Sequence, residues 1–448
     1  MIGWALVAIY FVLFYLLIKH LSFFKKSELR TNFLWTILLI KFIVSIGLFY
    51  VYTSYYPIRA EADIFKYFDD SEIVYSSFFD SPIKFFQLIF EYNIDSDQFF
   101  DDYLQHMNNW DRVYDTNVYN DSRTIIKFNA FFRFLSLGQF HVHSLFFCFL
   151  SLIGTVAMYR VAKKLFTNSR SILALLIFLL PSVLLWSSGV LKESILIFAL
   201  GLLLLAVDKI LHFKERGIPF LTILLTLLLM IYIKFYVLVA FVPAMVCYVT
   251  AYYLKLKKWQ TYVPLLLLFG LIALFSKYIP PYMDFVKILE GKQDDFVRLA
   301  DNMDAGSKFE LTDIDQTFFG IVKVIPEGVV NCFIRPLPWH VNNPLAIPAV
   351  IENIFILVLL FWSLLLIVRK KVNIEEEHKN FLWFSVTFIF LLYAIIGVTT
   401  PVAGALVRYK VPALPFLMVV LIYLLKDMSI LLKISRNFDF LILTSAKK

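Results

Sequence analysis

The residues best suited to acid–base chemistry open a long polar segment, residues 55–127, in a chain that is otherwise mostly apolar. The first carboxylates of this segment can act as general bases that remove a proton from an attacking hydroxyl group. They can equally be explained as groups that solvate the start of a loop. The candidates are Glu61, Asp63, Asp69 and Asp70.

Basic and aromatic residues stand at three other polar interruptions of the apolar sequence. Arginine and lysine can neutralise the charge on a departing phosphate, while a nearby carboxylate takes up the proton. Together the two sets of side chains suit a reaction between a hydroxyl acceptor and a phosphate-bearing lipid. The residues are Trp186, Lys192 and Glu193 at one turn, Arg335, Trp339 and His340 at a second, and Arg408, Tyr409 and Lys410 at a third.

The composition is typical of an integral membrane protein. Of the 448 residues, 60% are hydrophobic and 17% are charged, and the mean hydropathy is +0.75. Soluble domains contain roughly 45–50% apolar and about 25% charged residues. The excess is arranged in runs long enough to cross a bilayer as helices. The sequence therefore predicts an all-α polytopic membrane protein.

The apolar runs predict about eleven transmembrane helices. Two runs are too long for one helix, and each is divided at a polar interruption, one at residues 186–193 and one at residues 234–236. The first run lacks a basic start and a cleavage site, so it is interpreted as a retained span. The other predicted spans lie at about residues 2–18, 32–52, 139–162, 261–278, 345–368, 381–397 and 411–425.

Basic residues in the short loops indicate the orientation, because they favour the cytoplasmic side. They predict a single domain, residues 1–448, in the cytoplasmic (inner) membrane, with the N-terminus outside and the C-terminus in the cytoplasm. Residues 55–127 and 279–344 become two long extracytoplasmic loops, and residues 427–448 become a basic, amphipathic cytoplasmic tail. Segments 82–90 and 123–132 have helical apolar spacing but are too short and charged to span, which predicts interfacial helices.

Several candidate residues also have a structural explanation. Lys192 and Glu193 can form an ion pair that caps a helix, and the segment from Arg335 to Trp339 can be a rigid turn anchored at the membrane surface. Arg408 and Lys410 favour a functional interpretation, because basic residues on the outer side oppose the usual charge bias.

Other classes of site have weak support in the sequence. The net charge of +8 is explained by loop orientation, and no zinc-finger or RNA-binding motif indicates a nucleic-acid partner. The acidic segment from Asp95 to Asp102 lacks the glycine and the final glutamate of an EF-hand. His141 and His143 have no third metal ligand nearby. The three cysteines predict neither a disulfide nor a metal site.

The pattern resembles the GT-C superfamily of membrane glycosyltransferases, whose members use a polyprenyl-phosphate-linked sugar as donor. The resemblance is carried by Glu61-Ala62-Asp63 and Tyr67, which follow a span and open a long outer loop. In that family an acidic residue at this place is the base of an inverting transfer. The resemblance therefore implies Asp63 as the base, with Asp69 or Asp70 as second choice.

The resemblance also implies roles for the other candidates. Arg408, Arg335 or Lys192 would stabilise the departing lipid phosphate, with Lys410 as a further candidate. No cofactor is expected to be required, because a single-phosphate donor needs little help from a divalent metal, although the use of such a metal remains open. The expected partners are the lipid-linked sugar, a glycan, lipid or protein acceptor, membrane lipids and proteins of an envelope complex. The expected substrate contacts are Tyr67, Trp186, Glu193, Trp339, His340 and Tyr409.

Two other functions remain open at this point. A polysaccharide repeat-unit polymerase or ligase also has many spans and two large outer loops, and would act through Arg335 or Arg408 on a pyrophosphate-linked lipid. A transporter or a structural subunit of an envelope complex would need no catalytic carboxylate. Lys41, near the middle of a predicted span, is one of few charges that favour transport.

Overall fold

The computed structural model describes residues 2–55, 58–111, 119–278, 284–302, 306–315, 317–340 and 346–444, without the side chains of Glu61 and Phe318. These residues form helices and no strand, which confirms the predicted all-α class for this part of the chain. The α-helices are α1 Ile2–His20, α2 Ser22–Lys25, α3 Thr31–Tyr55, α4 Asp63–Asp80, α5 Pro82–Phe90, α6 Asp97–Asp102, α7 Asp121–Ser136, α8 Phe140–Ala162, α9 Arg170–Leu179, α10 Pro181–Trp186, α11 Lys192–Phe213, α12 Ile218–Leu254, α13 Lys258–Phe275, α14 Phe285–Asn302, α15 Phe318–Ile334, α16 Ile347–Val368, α17 Glu376–Thr399, α18 Ala403–Lys410, α19 Leu414–Leu425 and α20 Ser429–Ile442.

Among the described residues, eight helices are long and apolar enough to cross a membrane. They are α1, α3, α8, α11, α12, α13, α16 and α17. A ninth crossing is available if α18 and α19, which meet at an angle of 72°, act as one bent span. The predicted number of about eleven spans is not confirmed, because two of the predicted helix pairs take a different form.

The first of these differences lies in residues 170–186. The helix predicted here is divided into α9, with 10 residues, and α10, with 6 residues. Pro181 cannot donate a backbone hydrogen bond and disfavours helical geometry in the residue before it. Leu180 accordingly has φ −58° and ψ 122°, so the helix ends and a new one begins at the proline.

The second difference is α12, a single element of 37 residues where two helices were predicted. Its backbone angles are nevertheless non-helical at Lys234 (φ −152°, ψ 76°), within the predicted division at residues 234–236. Both ends of α12 lie near the end of α11. The Tyr252 hydroxyl donates to the Leu211 carbonyl at 2.7 Å, and Phe220 lines a cavity with Ile210. Lys234 instead lies beside Glu193, at the beginning of α11. The chain therefore reverses its direction along α11 at Lys234.

The bundle has two distinct ends. We call the end that carries Asp63, Glu193 and Arg408 the site end. The opposite end is held together by ion pairs between helix termini. These pairs are Lys163–Glu28 at 2.7 Å, Arg170–Glu28 at 2.8 Å, Lys164–Asp208 at 2.6 Å and Lys426–Glu375 at 2.6 Å.

Two helices, α8 and α11, form the centre of the bundle. Their most apolar stretches are 83% and 78% buried, against 17% for α1 and α13, whose exposed apolar faces suit contact with lipid. The backbones of α8 and α11 touch at two glycines. A Cβ atom at Gly201 would lie 2.0 Å from the Gly154 carbonyl oxygen, so a side chain there has no space.

Further helices form the segments between the spans. In the first long loop, α4 packs against α5 and α7. In the second, α15 packs along α17, where the Cys332 thiol donates to the Tyr393 carbonyl at 3.4 Å. Residues 307–309 also pair with residues 401–403: the Phe309 amide donates to the Pro401 carbonyl at 2.8 Å, and the Ala403 amide donates to the Ser307 carbonyl at 3.0 Å. The second loop is thus attached directly to the start of α18.

Candidate functional site

Three helix ends bring an arginine and two carboxylates together at the site end. Arg408 lies in the last turn of α18, Glu193 in the first turn of α11, and Asp63 at the first position of α4. Arg408 donates from Nε and Nη2 to the two Glu193 carboxylate oxygens at 2.8 and 3.0 Å, and from Nη1 to Asp63 Oδ2 at 3.0 Å. These positions suit the helix dipoles, which favour anions at N-termini and cations at C-termini.

The two carboxylates differ in their access to solvent. The Glu193 side chain is 2% exposed, whereas the Asp63 side chain is 36% exposed. Burial would raise the pKa of Asp63, but the positive charges of Arg408 and Lys192 outweigh burial and hold that pKa below its usual range. Asp63 is therefore an ionised carboxylate that a molecule from outside can reach, beside an arginine.

Two lysines complete the cluster. The Lys192 ammonium donates to Asp121 Oδ1 at 2.7 Å and to the Ser122 hydroxyl at 3.1 Å. The Lys234 ammonium lies 3.7 Å from Glu193 Oε1. The described cluster thus contains three carboxylates and three cations, and its formal charge is balanced.

Aromatic rings surround these cations. Lys192 lies over the ring of Tyr67, with its ammonium 5.1 Å from the ring centre, and the Arg408 guanidinium lies 5.2 Å from the centre of Trp186. Lys234 lies 4.6 Å from the centre of Tyr409. The edge of Phe296, from α14, meets Tyr409 with the ring centres 5.8 Å apart, so the second loop contributes to the wall of the site.

Seven of the predicted site residues therefore come together at this place: Asp63, Tyr67, Trp186, Lys192, Glu193, Arg408 and Tyr409. Lys234 and Asp121 were not predicted as site residues from the sequence. A lysine inside a long apolar block is costly in a membrane, and that signal could have identified Lys234. Asp121 lies among many acidic residues of the first loop, and nothing in its sequence context distinguishes it.

Two other predicted carboxylates have different partners. Asp69 forms a two-bond ion pair with Arg59, at 2.7 and 2.8 Å. Asp70 is buried and accepts hydrogen bonds from the backbone amides of Asn108 and Asn109, at 2.9 and 2.7 Å. The side chain of Glu61 lies outside the described residues.

The remaining predicted cations also have other partners. The Lys410 ammonium donates to the carbonyls of Cys332 and Arg335, at 2.9 and 2.7 Å, and to Asn353 Oδ1 at 3.3 Å. It therefore satisfies backbone acceptors at the end of α15. The guanidinium of Arg335 lies 3.9 Å from the centre of the Phe309 ring.

The other predicted substrate contacts lie just after α15. Trp339 is 74% exposed, and its ring meets His340 with the centres 5.7 Å apart. His340 Nδ1 accepts a hydrogen bond from the Leu337 amide at 3.1 Å. The described contacts therefore connect His340 to its own turn.

Potential metal ligands lie elsewhere. His143 is buried between Asn129 Oδ1 and the Ser136 hydroxyl, at 2.7 and 2.6 Å, and His141 stacks on Trp4. In the part of the chain that the structure describes, one group of carboxylates and histidine has ligand atoms close enough for a shared metal. It comprises Glu375, Glu377 and His378, at the opposite end.

A buried lysine fixes the turn that leads into Glu193. Lys41, in the middle of α3, donates to the hydroxyl and the carbonyl of Ser187, at 2.6 and 3.1 Å. Ser151 donates to the same carbonyl at 2.6 Å. Because Ser187 follows Trp186 directly and precedes α11, these bonds position both Trp186 and Glu193. Lys41 therefore has a structural explanation within the bundle.

The buried carboxyl group of Asp70 should make the stability of the folded protein depend on pH. Burial raises the pKa of this carboxyl from 3.8 to about 6, although the two amide donors oppose the shift. Between those values the folded protein holds a proton that the unfolded chain has released, so stability falls as the pH rises from about 4 to about 6. The total loss should be at most about 3 kcal/mol.

Detergent unfolding of the wild type and of Asp70→Asn at several pH values would check this prediction. The difference in stability between the two proteins should change across the window from pH 4 to pH 6 and be constant above it. The exposed neighbour Glu72 provides the control variant Glu72→Gln. A difference that stays constant from pH 4 to pH 7 would contradict the assignment.

The cluster combines two chemical abilities at one place. An accessible, ionised carboxylate can accept a proton, and an arginine with neighbouring lysines can bind an anion. Comparisons with protein-family models, with curated proteins and with solved structures find no match to this chain.

Proposed function

We propose that this protein is a membrane glycosyltransferase, similar to the GT-C superfamily, which moves a sugar from a polyprenyl-phosphate donor to a hydroxyl acceptor. The observation that supports the proposal best is the pairing of Asp63 with Arg408 at 3.0 Å, with a third of the Asp63 side chain exposed. A base and an anion-binding group are then adjacent, as the transfer requires. The acceptor would be a glycan, a lipid or a protein.

Arg408 retains hydrogen-bonding capacity for a donor phosphate. A guanidinium has five N–H groups, and the described contacts of Arg408 with Glu193 and Asp63 use three of them. The other two can donate to phosphate oxygens. The buried Glu193 holds the guanidinium in place through two hydrogen bonds, which limits the loss of side-chain entropy when the substrate binds.

The proposed reaction is an inverting displacement at the anomeric carbon. Asp63 takes the proton from the acceptor hydroxyl, whose oxygen forms the new bond to that carbon. The bond between the anomeric carbon and the phosphate oxygen breaks, and the polyprenyl phosphate leaves with the electron pair. Its additional negative charge is stabilised by Arg408. Donor binding would also raise the pKa of Asp63, because the negative charge of a phosphate beside Arg408 offsets the positive charge that stabilises the ionised carboxylate. A higher pKa makes Asp63 a stronger base.

The proposal includes an eleven-span arrangement in which the site end faces outward. Its support is that α9 and α10 together connect the two ends, from Arg170 beside Glu28 to Trp186 beside Arg408. The reversal at Lys234 similarly supports two crossings for α12. The opposite end carries many of the lysines and arginines, and this distribution favours an orientation in which that end faces the cytoplasm. The exposed apolar residues Ile83 and Phe86 of α5 suit the outer membrane surface.

Sugar transfer by Asp63→Asn tests the function. The substitution preserves shape and an oxygen that can accept from Arg408, but removes the base. We expect kcat to fall roughly 100-fold or more, with a smaller change in KM for the donor. The measurement uses the full-length protein in proteoliposomes. The donors are radiolabelled hexoses and pentoses on polyprenyl phosphate and, in parallel, on polyprenyl pyrophosphate, and the acceptors are membrane lipid and glycan extracts.

The matched control is Glu72→Gln. Glu72 is an exposed carboxylate on α4, the helix that begins with Asp63, and it lies outside the cluster. It should transfer sugar at the wild-type rate. Near-normal sugar transfer by Asp63→Asn would show that Asp63 is not the catalytic base. Transfer by the wild type only from pyrophosphate-linked donors would instead favour a polysaccharide polymerase.

A further inference from the structure

Lys234 is a buried cation whose hydrogen-bond donors are unused within the described part of the chain. Its side chain is 9% exposed, and its nearest acidic atom, Glu193 Oε1, is 3.7 Å away, which is too long for a hydrogen bond. Among the described contacts, its ammonium also lies over the rings of Tyr409 and Tyr236, whose faces accept no conventional hydrogen bond.

Other buried lysines of the bundle are bound differently. Lys41 donates two hydrogen bonds, Lys410 donates three, and Lys192 donates to Asp121 and Ser122. Burying an ammonium without such acceptors is unfavourable, because the lost hydration is not replaced. The backbone also leaves helical geometry at Lys234, in the middle of an apolar element. The unused donors are explained if the ammonium serves a ligand rather than the fold.

The surroundings of Lys234 define the chemistry of that ligand. Lys234 and Arg408 approach the same oxygen of Glu193, at 3.7 and 2.8 Å. One small anion with several oxygens could therefore bind both cations at once, as a phosphate group can. The rings of Trp186 and Tyr409 add apolar surface beside it.

We propose that Lys234 and Arg408 form a binding site for the single phosphate group of an isoprenoid lipid. The inference deepens the proposed function and rests on it for the role of that lipid as sugar donor. Lys234 contacts the phosphate oxygens and stabilises the negative charge that the phosphate gains when the bond to the sugar breaks. Because the two cations approach one carboxylate oxygen, their charged ends are close enough to contact one phosphate group.

The test is direct binding to the full-length protein in detergent, with no sugar transfer involved. The probes are farnesyl phosphate, farnesyl pyrophosphate, farnesol and inorganic phosphate, and binding is followed by the rise in the thermal unfolding midpoint. Farnesyl phosphate should bind most tightly. Lys234→Gln should weaken its binding about 10- to 100-fold and leave the binding of farnesol unchanged. Lys84→Gln, at an exposed pair with Asp102, is the control and should bind as the wild type does.

A second readout separates ligand binding from a structural role. If Lys234 serves the ligand, ligand-free Lys234→Gln should unfold at the same temperature as the wild type or at a higher one. A marked decrease in that temperature would identify Lys234 as a structural partner of Glu193 and overturn the proposal. Unchanged binding of farnesyl phosphate to Lys234→Gln would also overturn it.

The choice of probes tests the identity of the ligand. Equal affinity for inorganic phosphate and farnesyl phosphate would overturn the assignment to a lipid, and tighter binding of the pyrophosphate would overturn the single-phosphate site. A different result would contradict the proposed function alone. If the protein transfers no sugar but still binds farnesyl phosphate through Lys234, the glycosyltransferase activity is rejected and the phosphate site is retained.

Discussion

Replacement of Arg408 by glutamine is expected to destabilise the folded protein by about 3–5 kcal/mol. The physical reason is the Glu193 carboxylate, which is 2% exposed and accepts two hydrogen bonds from that guanidinium. Without Arg408, the cation that remains beside Glu193 among the described residues is Lys234, at 3.7 Å. A buried charge that has lost its hydrogen-bonding partner costs far more than an exposed one. The unfolding free energy in a detergent titration is the quantity to measure.

A double variant separates this cause from a general loss of packing. Glu193→Gln removes the buried negative charge, so Arg408→Gln combined with Glu193→Gln should recover much of the stability that Arg408→Gln loses. Equal instability of the single and double variants would show that charge burial is not the cause. The double variant should still fail to transfer sugar, because it lacks the Arg408 guanidinium that is proposed to bind the donor phosphate.

The chain offers a matched exposed pair for comparison. Arg59 also binds a carboxylate through two hydrogen bonds, at 2.7 and 2.8 Å to Asp69, but its side chain is 52% exposed. Arg59→Gln should therefore cost at most about 1 kcal/mol. The contrast between the two arginine variants measures how much burial, rather than the number of hydrogen bonds, determines the effect.

Replacement of Gly201 by alanine is expected to destabilise the bundle by about 1–3 kcal/mol or more, through a single added methyl group. That methyl carbon would lie 2.0 Å from the carbonyl oxygen of Gly154, which belongs to the backbone and cannot rotate away. Helices α8 and α11 would have to separate. Since α11 carries Lys192 and Glu193 at its beginning, a change in this contact should also alter the site.

Gly270 provides the control, because it lies in α13 and a Cβ atom there would meet nothing within 4 Å. Gly270→Ala should leave stability unchanged or raise it by up to about 1 kcal/mol, since alanine favours the helix more than glycine does. The same substitution is thus expected to have opposite signs at the two positions. Destabilisation of equal size by both variants would contradict the close contact of α8 with α11.

The apolar spans and many of the polar candidates could be predicted from the sequence, because both depend on local properties. A bilayer requires each spanning segment to satisfy its own backbone hydrogen bonds, so length and hydropathy suffice to recognise it. Glu193 and Arg408 were identifiable because each is a charge beside an apolar run. The sequence also placed the division of the second long run at residues 234–236, where the backbone leaves helical geometry, but it did not predict the separation of α9 from α10 at Pro181.

The pairing of the candidates could not be predicted in the same way. Asp63 and Arg408 are separated by 345 positions, and nothing local connects them. Lys410 is only two residues from Arg408, yet it binds the carbonyls at the end of α15. Residues two apart on a helix point to different sides, so similar sequence context led to opposite environments.

By itself, the sequence determined the helical class of the chain, the approximate places of its membrane segments and a set of charged residues at their ends. The tertiary structure decided which of those charges meet. It joined Asp63, Glu193 and Arg408, added Lys234 and Asp121, and gave Asp69, Asp70 and Lys410 other partners. The physical reason is that hydropathy acts on each segment separately, whereas an ion-pair cluster depends on how several helix ends are positioned relative to one another.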